Sequence, residues 1–248
     1  MSAMKTELMI ETDDGTAPAA LFQPEADASA KRPGVILYMD AFGLRAGLDE
    51  MAQRLADSGY LVLVPDLFYR NGRYGPYDPK TAFSDEATKA QILGMVTGTS
   101  QEMTKRDGQA FLSALDSYGA SAKIGTVGYC MGGGRAIRAA SAFPDRIAAA
   151  ASFHGGNLAS DSEESPHRHL TGIRGRIYVG VSGVDRSFPP EQSARLAEAL
   201  RVAETDHIIE NYVGMAHGWA VPDHSVFDAR GAERHWQRLL TLFAETLH

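Results

Sequence analysis

Short apolar runs alternate with amphipathic segments from residue 34 onward, and this alternation restricts the fold more than any other feature of the chain. The run Gly34-Val-Ile-Leu-Tyr-Met39 has the length and continuous hydrophobicity of a strand buried on both faces. Further strands are predicted at 60–65, 123–128, 147–153, 175–180 and 207–212. Helices are predicted at 48–58, 102–117, 131–143, 190–202 and 229–247. Strands that alternate with helices require right-handed crossovers and a mostly parallel sheet covered on both faces. Ahead of them, 7–11 and 17–23 flank the turn signal Asp13-Asp14-Gly15, which predicts an N-terminal antiparallel hairpin.

No internal repeat, low-complexity tract or Pro/Gly/Ser linker divides the sequence, so residues 1–248 are read as a single α/β domain. Two segments, 69–101 and 155–172, are too long and irregular to be simple connections. Both follow predicted strands, on the side where open α/β sheets bind ligands.

Charge narrows the partners. Twenty-four Lys and Arg against 31 Asp and Glu give a formal net charge of -7, a field that repels nucleic acid and anionic membrane. The single Cys allows neither an internal disulfide nor a Cys-rich zinc site, and a lone thiol survives best in a reducing compartment; the expected location is the cytoplasm. The first residues carry acids where a signal peptide needs an apolar stretch, and no run approaches the roughly eighteen apolar residues of a membrane span.

The most specific chemical feature is Gly128-Tyr129-Cys130-Met131-Gly132-Gly133-Gly134, between a predicted strand and a predicted helix. It has the form G-x-nucleophile-x-G, in which a sharp turn exposes the nucleophile and the glycines let neighbouring backbone approach. An arbitrary lone Cys is by default a small buried apolar side chain, but the elbow favours Cys130 as nucleophile, with helix N-terminal N–H groups nearby to hold an anion. The elbow also requires an acid and then a His on loops after later strands. Asp185 follows the strand at 175–180, with Asp206 and Asp223 as substitutes, and His217 follows the strand at 207–212. His217 would exchange protons with the thiol, and Asp185 would hold its imidazole.

With these residues in place the chain resembles the dienelactone hydrolase (carboxymethylenebutenolidase) family of α/β-hydrolases. The matching features are Met39-Asp-Ala-Phe-Gly-Leu44, Gly59-Tyr60 through Val64-Pro-Asp-Leu67, the Cys130 elbow, Asp185, and Tyr212-Val-Gly-Met-Ala-His-Gly218. The resemblance implies an α/β-hydrolase fold with an eight-stranded sheet, no cofactor, and lactone or ester hydrolysis through an acyl-cysteine intermediate. It implies Cys130, His217 and Asp185 as the triad and the backbone N–H groups of Ala41 and Met131 as the oxyanion hole. It also implies an acid before Phe-Gly that interacts with the thiol. The family type has Glu there and this chain has the shorter Asp40, for which a strand-end residue bonding the loop backbone is the alternative.

The family's dienelactone-hydrolysing members bind the substrate carboxylate with Arg residues, one shortly after the catalytic His. Here Gly-Trp-Ala-Val-Pro follows His217, which weakens a dienelactone assignment. Candidates for substrate contact are Arg70, Arg73, Tyr74 and Tyr77 on the first long loop, His154, and Trp219 as an apolar wall; the alternative for each is loop anchoring or packing. Arg135 is read as the partner of a nearby acid, and Met131 and Met215 as lining or packing. His167 and His169, at i and i+2 with no carboxylate constellation nearby, are too weak a signal for a metal site, and none is expected. The expected partner is a small ester or lactone, with the chain a monomer or homodimer. A general carboxylesterase or thioesterase and a noncatalytic ligand-binding protein are the alternatives. A dinucleotide fold is disfavoured because the glycine spacing is not G-x-G-x-x-G and no acid ends the following strand.

Overall fold

The computed structural model describes residues 4–24 and 31–248. The very first residues, read above for a leader, lie outside them. Strands β1 (Met4–Thr12) and β2 (Gly15–Gln23) form the hairpin expected around Asp13-Asp14, with Thr12 opposite Gly15. Six more strands complete one sheet: β3 (Arg32–Tyr38), β4 (Leu61–Pro65), β5 (Ala120–Tyr129), β6 (Ile147–Phe153), β7 (Arg176–Val184) and β8 (His207–Ala216). The order is β1-β2-β4-β3-β5-β6-β7-β8, antiparallel through β2/β4 and parallel from β4 to β8. This is the α/β-hydrolase architecture expected from the sequence.

Helices α1 (Ala46–Asp57), α2 (Glu86–Gly98), α3 (Gln101–Ser117), α4 (Met131–Ala142), α5 (Pro190–Val202) and α6 (Ala229–Thr246) cover the sheet and its rim. Successive residues of β5 show the two faces. A side chain at Gly125 would run into Phe243 of α6, whereas the Thr126 hydroxyl donates to the Ala136 carbonyl of α4 at 3.1 Å. Alternation along a strand sends neighbours to opposite faces, so a central strand covered twice must be apolar throughout. All five residues of β4 are buried accordingly.

Residues 69–101 depart from the irregular loop that was expected, because they contain α2. Asp85 caps it, accepting the Thr88 N–H at 2.8 Å. Only Ile92 and Met95 of this helix are buried, so it lacks the apolar stripe by which amphipathic helices are read. Residues 155–172 are irregular, as expected, apart from a 3-10 turn at Pro166–Arg168.

Strands β7 and β8 run further than their apolar cores suggested. Ser182 pairs with Tyr212, and beyond an irregularity Val184 pairs with Ala216. Asp185 and His217 are therefore the next residues after a paired position on adjacent parallel strands.

Candidate active site

Cys130 stands between β5 and α4 with φ +54° and ψ -119°, a left-handed backbone that a non-glycine residue holds only when its surroundings impose it. Two glycines make the turn feasible. A Cβ at Gly128 would collide with the Gly132 carbonyl, and one at Gly132 would collide with the carbonyls of Tyr38 and Met39. Helix α4 can therefore start close against both β5 and the end of β3.

His217 faces the Cys130 sulfur, and its Nδ1 lies 2.7 Å from Asp185 Oδ2. Burial pulls the imidazole down, but the Cys130 sulfur and the Asp185 carboxylate outweigh it and push it up to about 10. Burial likewise pushes Asp185 up, and the His217 and Ser187 contacts hold it below the usual carboxylate range. Neither substitute acid is available: Asp206 pairs with Arg176 and Asp223 with Arg45, each at 2.7 Å.

Ser187 was not anticipated. Its backbone N–H and hydroxyl donate to Asp185 Oδ1 at 2.8 and 2.6 Å, and its Oγ is 3.3 Å from His217 Nδ1. The Asp-x-Ser spacing is an Asx-turn signature that the sequence carried.

Ala41 and Met131 line the same cavity as Cys130, Asp185 and His217. Met131 is the first residue of α4, where backbone N–H groups have no intrahelical acceptor. The cavity, of about 560 Å³, is walled by Phe83, Leu93 and Val96 from the segment that contains α2. Phe83 and Leu93 are nearly half exposed, an apolar wall with no counterpart in the sequence reading.

His154 accepts the Cys130 backbone N–H on Nδ1 at 3.2 Å, and its ring lies edge-on to His217 with centroids 5.1 Å apart. Burial, then the charge of His217, holds it far below the ordinary imidazole range, so it stays neutral. Asp40 is fully buried, and the hydrogen bonds of its carboxylate among the described residues go to groups other than the thiol. Its carboxylate accepts from the Phe42 N–H, from Arg45 and from His224.

Other candidates are placed elsewhere. Arg70 is held by Asp14 and Asp107 and ties the N-terminal hairpin to α3. Arg73, Tyr74 and Tyr77 line a different surface depression, and Tyr74 donates to Asp66 at 2.7 Å. Trp219 is fully buried, stacked on Tyr212 at 4.6 Å, and does not line the cavity. Met215 packs at Gly231. Loop position alone does not say which way a loop folds back.

Arg135, by contrast, does line the cavity. Its Nη2 donates to the Thr99 carbonyl, and burial pulls it down to about 10 against the opposing charge of Glu164, the nearby acid. His167 Nδ1 lies 3.0 Å from Ser165 Oγ and His169 Nε2 lies 2.8 Å from the Glu163 carbonyl, so both anchor their loop. Among the described residues no helix is long and apolar enough to cross a membrane.

Comparison with known proteins agrees with this architecture. A profile of the dienelactone hydrolase family matches residues 18–247. A Salmonella typhi protein that carries the provisional name carboxymethylenebutenolidase is 28% identical over 248 residues, 99% of this chain and 88% of its own. The carboxymethylenebutenolidase of Pseudomonas sp. strain P51 is 33% identical over 119 residues, 46% of this chain and 47% of its own. A Klebsiella pneumoniae crystal structure, provisionally described as a dienelactone hydrolase, superimposes with a TM-score of 0.85 at 23% identity, covering 98% of both chains.

Proposed function

Since the chain belongs to the dienelactone hydrolase family and is a hydrolase of that type, we propose that it hydrolyses lactones or carboxylic esters with Cys130 as nucleophile, His217 as proton carrier and Asp185 as its orienting acid. One observation carries this reading: a positive-φ cysteine at a strand-to-helix turn faces an imidazole that is itself 2.7 Å from a carboxylate.

The Cys130 thiolate adds to the acyl carbonyl, and the carbonyl electron pair moves onto oxygen. The backbone N–H groups of Ala41 and Met131 receive that charge. Collapse expels the alkoxide, which takes a proton from His217; in a lactone it stays attached as the ring-opened hydroxyl. Neutral His217 then removes a proton from water, hydroxide adds to the thioester, and collapse releases the acid and regenerates the thiolate. Asp185 keeps Nδ1 protonated so that the other ring nitrogen faces sulfur.

The apolar wall of Phe83, Leu93 and Val96 supports a small organic ester or lactone as substrate. Arg135 in the same cavity supports substrates with a hydrogen-bond acceptor remote from the reacting carbonyl.

The test is turnover of cis-dienelactone, p-nitrophenyl acetate and an acyl thioester by wild type and Cys130→Ala. Cys130-dependent hydrolysis of the lactone or the simple ester supports the proposal, and mass spectrometry should find the acyl adduct on Cys130. Turnover of the thioester alone would make the chain a thioesterase. No turnover and no adduct would make it a ligand-binding member of the fold.

A further inference from the structure

Asp40, Arg45, Asp223 and His224 form a polar cluster that the chemistry above does not use. It joins two loops, the one after β3 that carries Ala41 and the one after β8 that begins with His217. Arg45 is at its centre and is almost completely buried.

All five guanidinium N–H groups of Arg45 have acceptors. Nε donates to Asp223 Oδ2 at 2.7 Å, and Nη2 donates to Asp223 Oδ1 at 2.9 Å and Asp40 Oδ2 at 2.8 Å. Nη1 donates to Asp40 Oδ1 at 2.7 Å and to the Gly43 carbonyl at 3.2 Å. The Asp40 carboxylate is equally saturated, since its oxygens also accept the Phe42 N–H at 3.0 Å and His224 Nε2 at 3.0 Å. Full occupancy of both groups leaves the cluster one low-energy arrangement, because any shift strands a buried donor or acceptor.

The rings and backbone around it make the same connection. His224 stands edge-on to Phe42 at 5.3 Å, and Arg45 lies over the Phe42 ring at 5.5 Å. A side chain at Gly218, next to His217, would run into His224, and one at Gly47 would run into Asp223. The loop after β8 is thus closed on itself beside His217 and packed against the first turn of α1.

We propose that Arg45 is a positioning residue that fixes the oxyanion donor at Ala41 relative to His217 by bridging Asp40 and Asp223 across the two loops. This rests on the reading of Ala41 as an oxyanion donor. It gives Asp40 a task other than contact with the thiol: its carboxylate holds the turn whose next N–H points to the developing charge. An oxyanion donor acts only when its position is set beforehand, and a displacement of a fraction of an ångström weakens it. Lys could not replace Arg45, because three donors on a point charge cannot reproduce five N–H bonds spread over two carboxylates and a carbonyl.

The test compares wild type with Arg45→Met, Arg45→Lys and Asp223→Asn in three assays. Hydrolysis of p-nitrophenyl acetate is resolved into kcat and KM. Alkylation of Cys130 by iodoacetamide reports on the nucleophile without the oxyanion hole. Protection of Cys130 by an aryl trifluoromethyl ketone, which adds reversibly to the sulfur and leaves an oxyanion, reports on the hole without turnover.

The expected result is a kcat loss of about a hundredfold in Arg45→Met and about tenfold in Asp223→Asn, with KM nearly unchanged. Alkylation should stay within about threefold of wild type, ketone protection should weaken in step with kcat, and Arg45→Lys should not rescue. An unchanged kcat in folded Asp223→Asn, or alkylation that falls by the same factor as kcat, would overturn the proposal. Should wild type hydrolyse no ester, the functional reading fails, and the ketone assay still decides this one: equal protection in wild type and Asp223→Asn overturns it. Asp223 is partly exposed, so that variant carries the test if Arg45→Met does not fold.

Discussion

The Ser187 hydroxyl donates to Asp185 Oδ1 at 2.6 Å, the carboxylate oxygen opposite the one that His217 contacts. Asp185 is thus held from both sides, by an imidazole on Oδ2 and by the Ser187 hydroxyl and N–H on Oδ1. The carboxylate that holds the His217 imidazole is itself held in place by Ser187.

Asp185→Asn should therefore cost far more than Ser187→Ala. The amide favours the wrong imidazole tautomer, and a loss of about 10³- to 10⁴-fold in kcat is expected. Ser187→Ala removes one of three bonds to the carboxylate and should lower kcat only about three- to tenfold. Steady-state hydrolysis by both purified variants checks the order, and equal losses would mean that Ser187 does more than hold Asp185.

The raised His217 imidazole should be visible directly. A nearby anion favours the imidazolium, so the proton is retained well above the ordinary midpoint of about 6.5. Nitrogen-resolved NMR titration should place the wild-type midpoint near 10 and move it down in Cys130→Ala, where the largest raising partner is gone. A wild-type midpoint near the ordinary value would show that sulfur and imidazole do not pair as ions.

His154 combines a neutral acceptor for the Cys130 N–H with a positive φ of +40°. His154→Leu removes one of the two acceptors of the Cys130 N–H, the other being the Phe153 carbonyl at 3.2 Å, and puts a branched side chain on a left-handed backbone. Urea unfolding should show a loss of about 2 kcal/mol or more. Asn keeps a short polar side chain and tolerates that backbone, so His154→Asn should lose distinctly less.

Gly132→Ala should be among the most damaging single substitutions, at about 3 kcal/mol or more, because its Cβ meets main-chain carbonyls that cannot yield. Gly94→Ala, at an open site inside α2, should instead stabilise by about 0.5–1 kcal/mol. Thermal unfolding of the pair separates a glycine kept for close approach from one that is not.

Much of this was legible along the chain because its physical causes are local. Continuous apolar runs mark strands covered on both faces, and β6 and α5 lie at the residues expected. The Gly-x-Cys-x-Gly spacing marks a turn in which only glycine fits beside Cys130. Helix α2 escaped because it presents Leu93 and Val96 to the cavity instead of burying an apolar stripe. Between substrate contact and loop anchoring for Arg70 and Tyr74 the chain itself offers no choice, because the acids that hold them, Asp14, Asp107 and Asp66, lie on other elements.

The sequence by itself determined the alternating fold, the elbow and the chain order of cysteine, aspartate and histidine, since each depends on residues that are neighbours in the chain. Only the tertiary structure decided which carboxylate reaches His217. That choice depends on the register of β7 against β8, which brings Asp185 beside His217, and on Arg45, which occupies Asp223 from 178 residues away. Charges pair by distance in space, and that distance is set by sheet register and loop packing, not by separation along the chain.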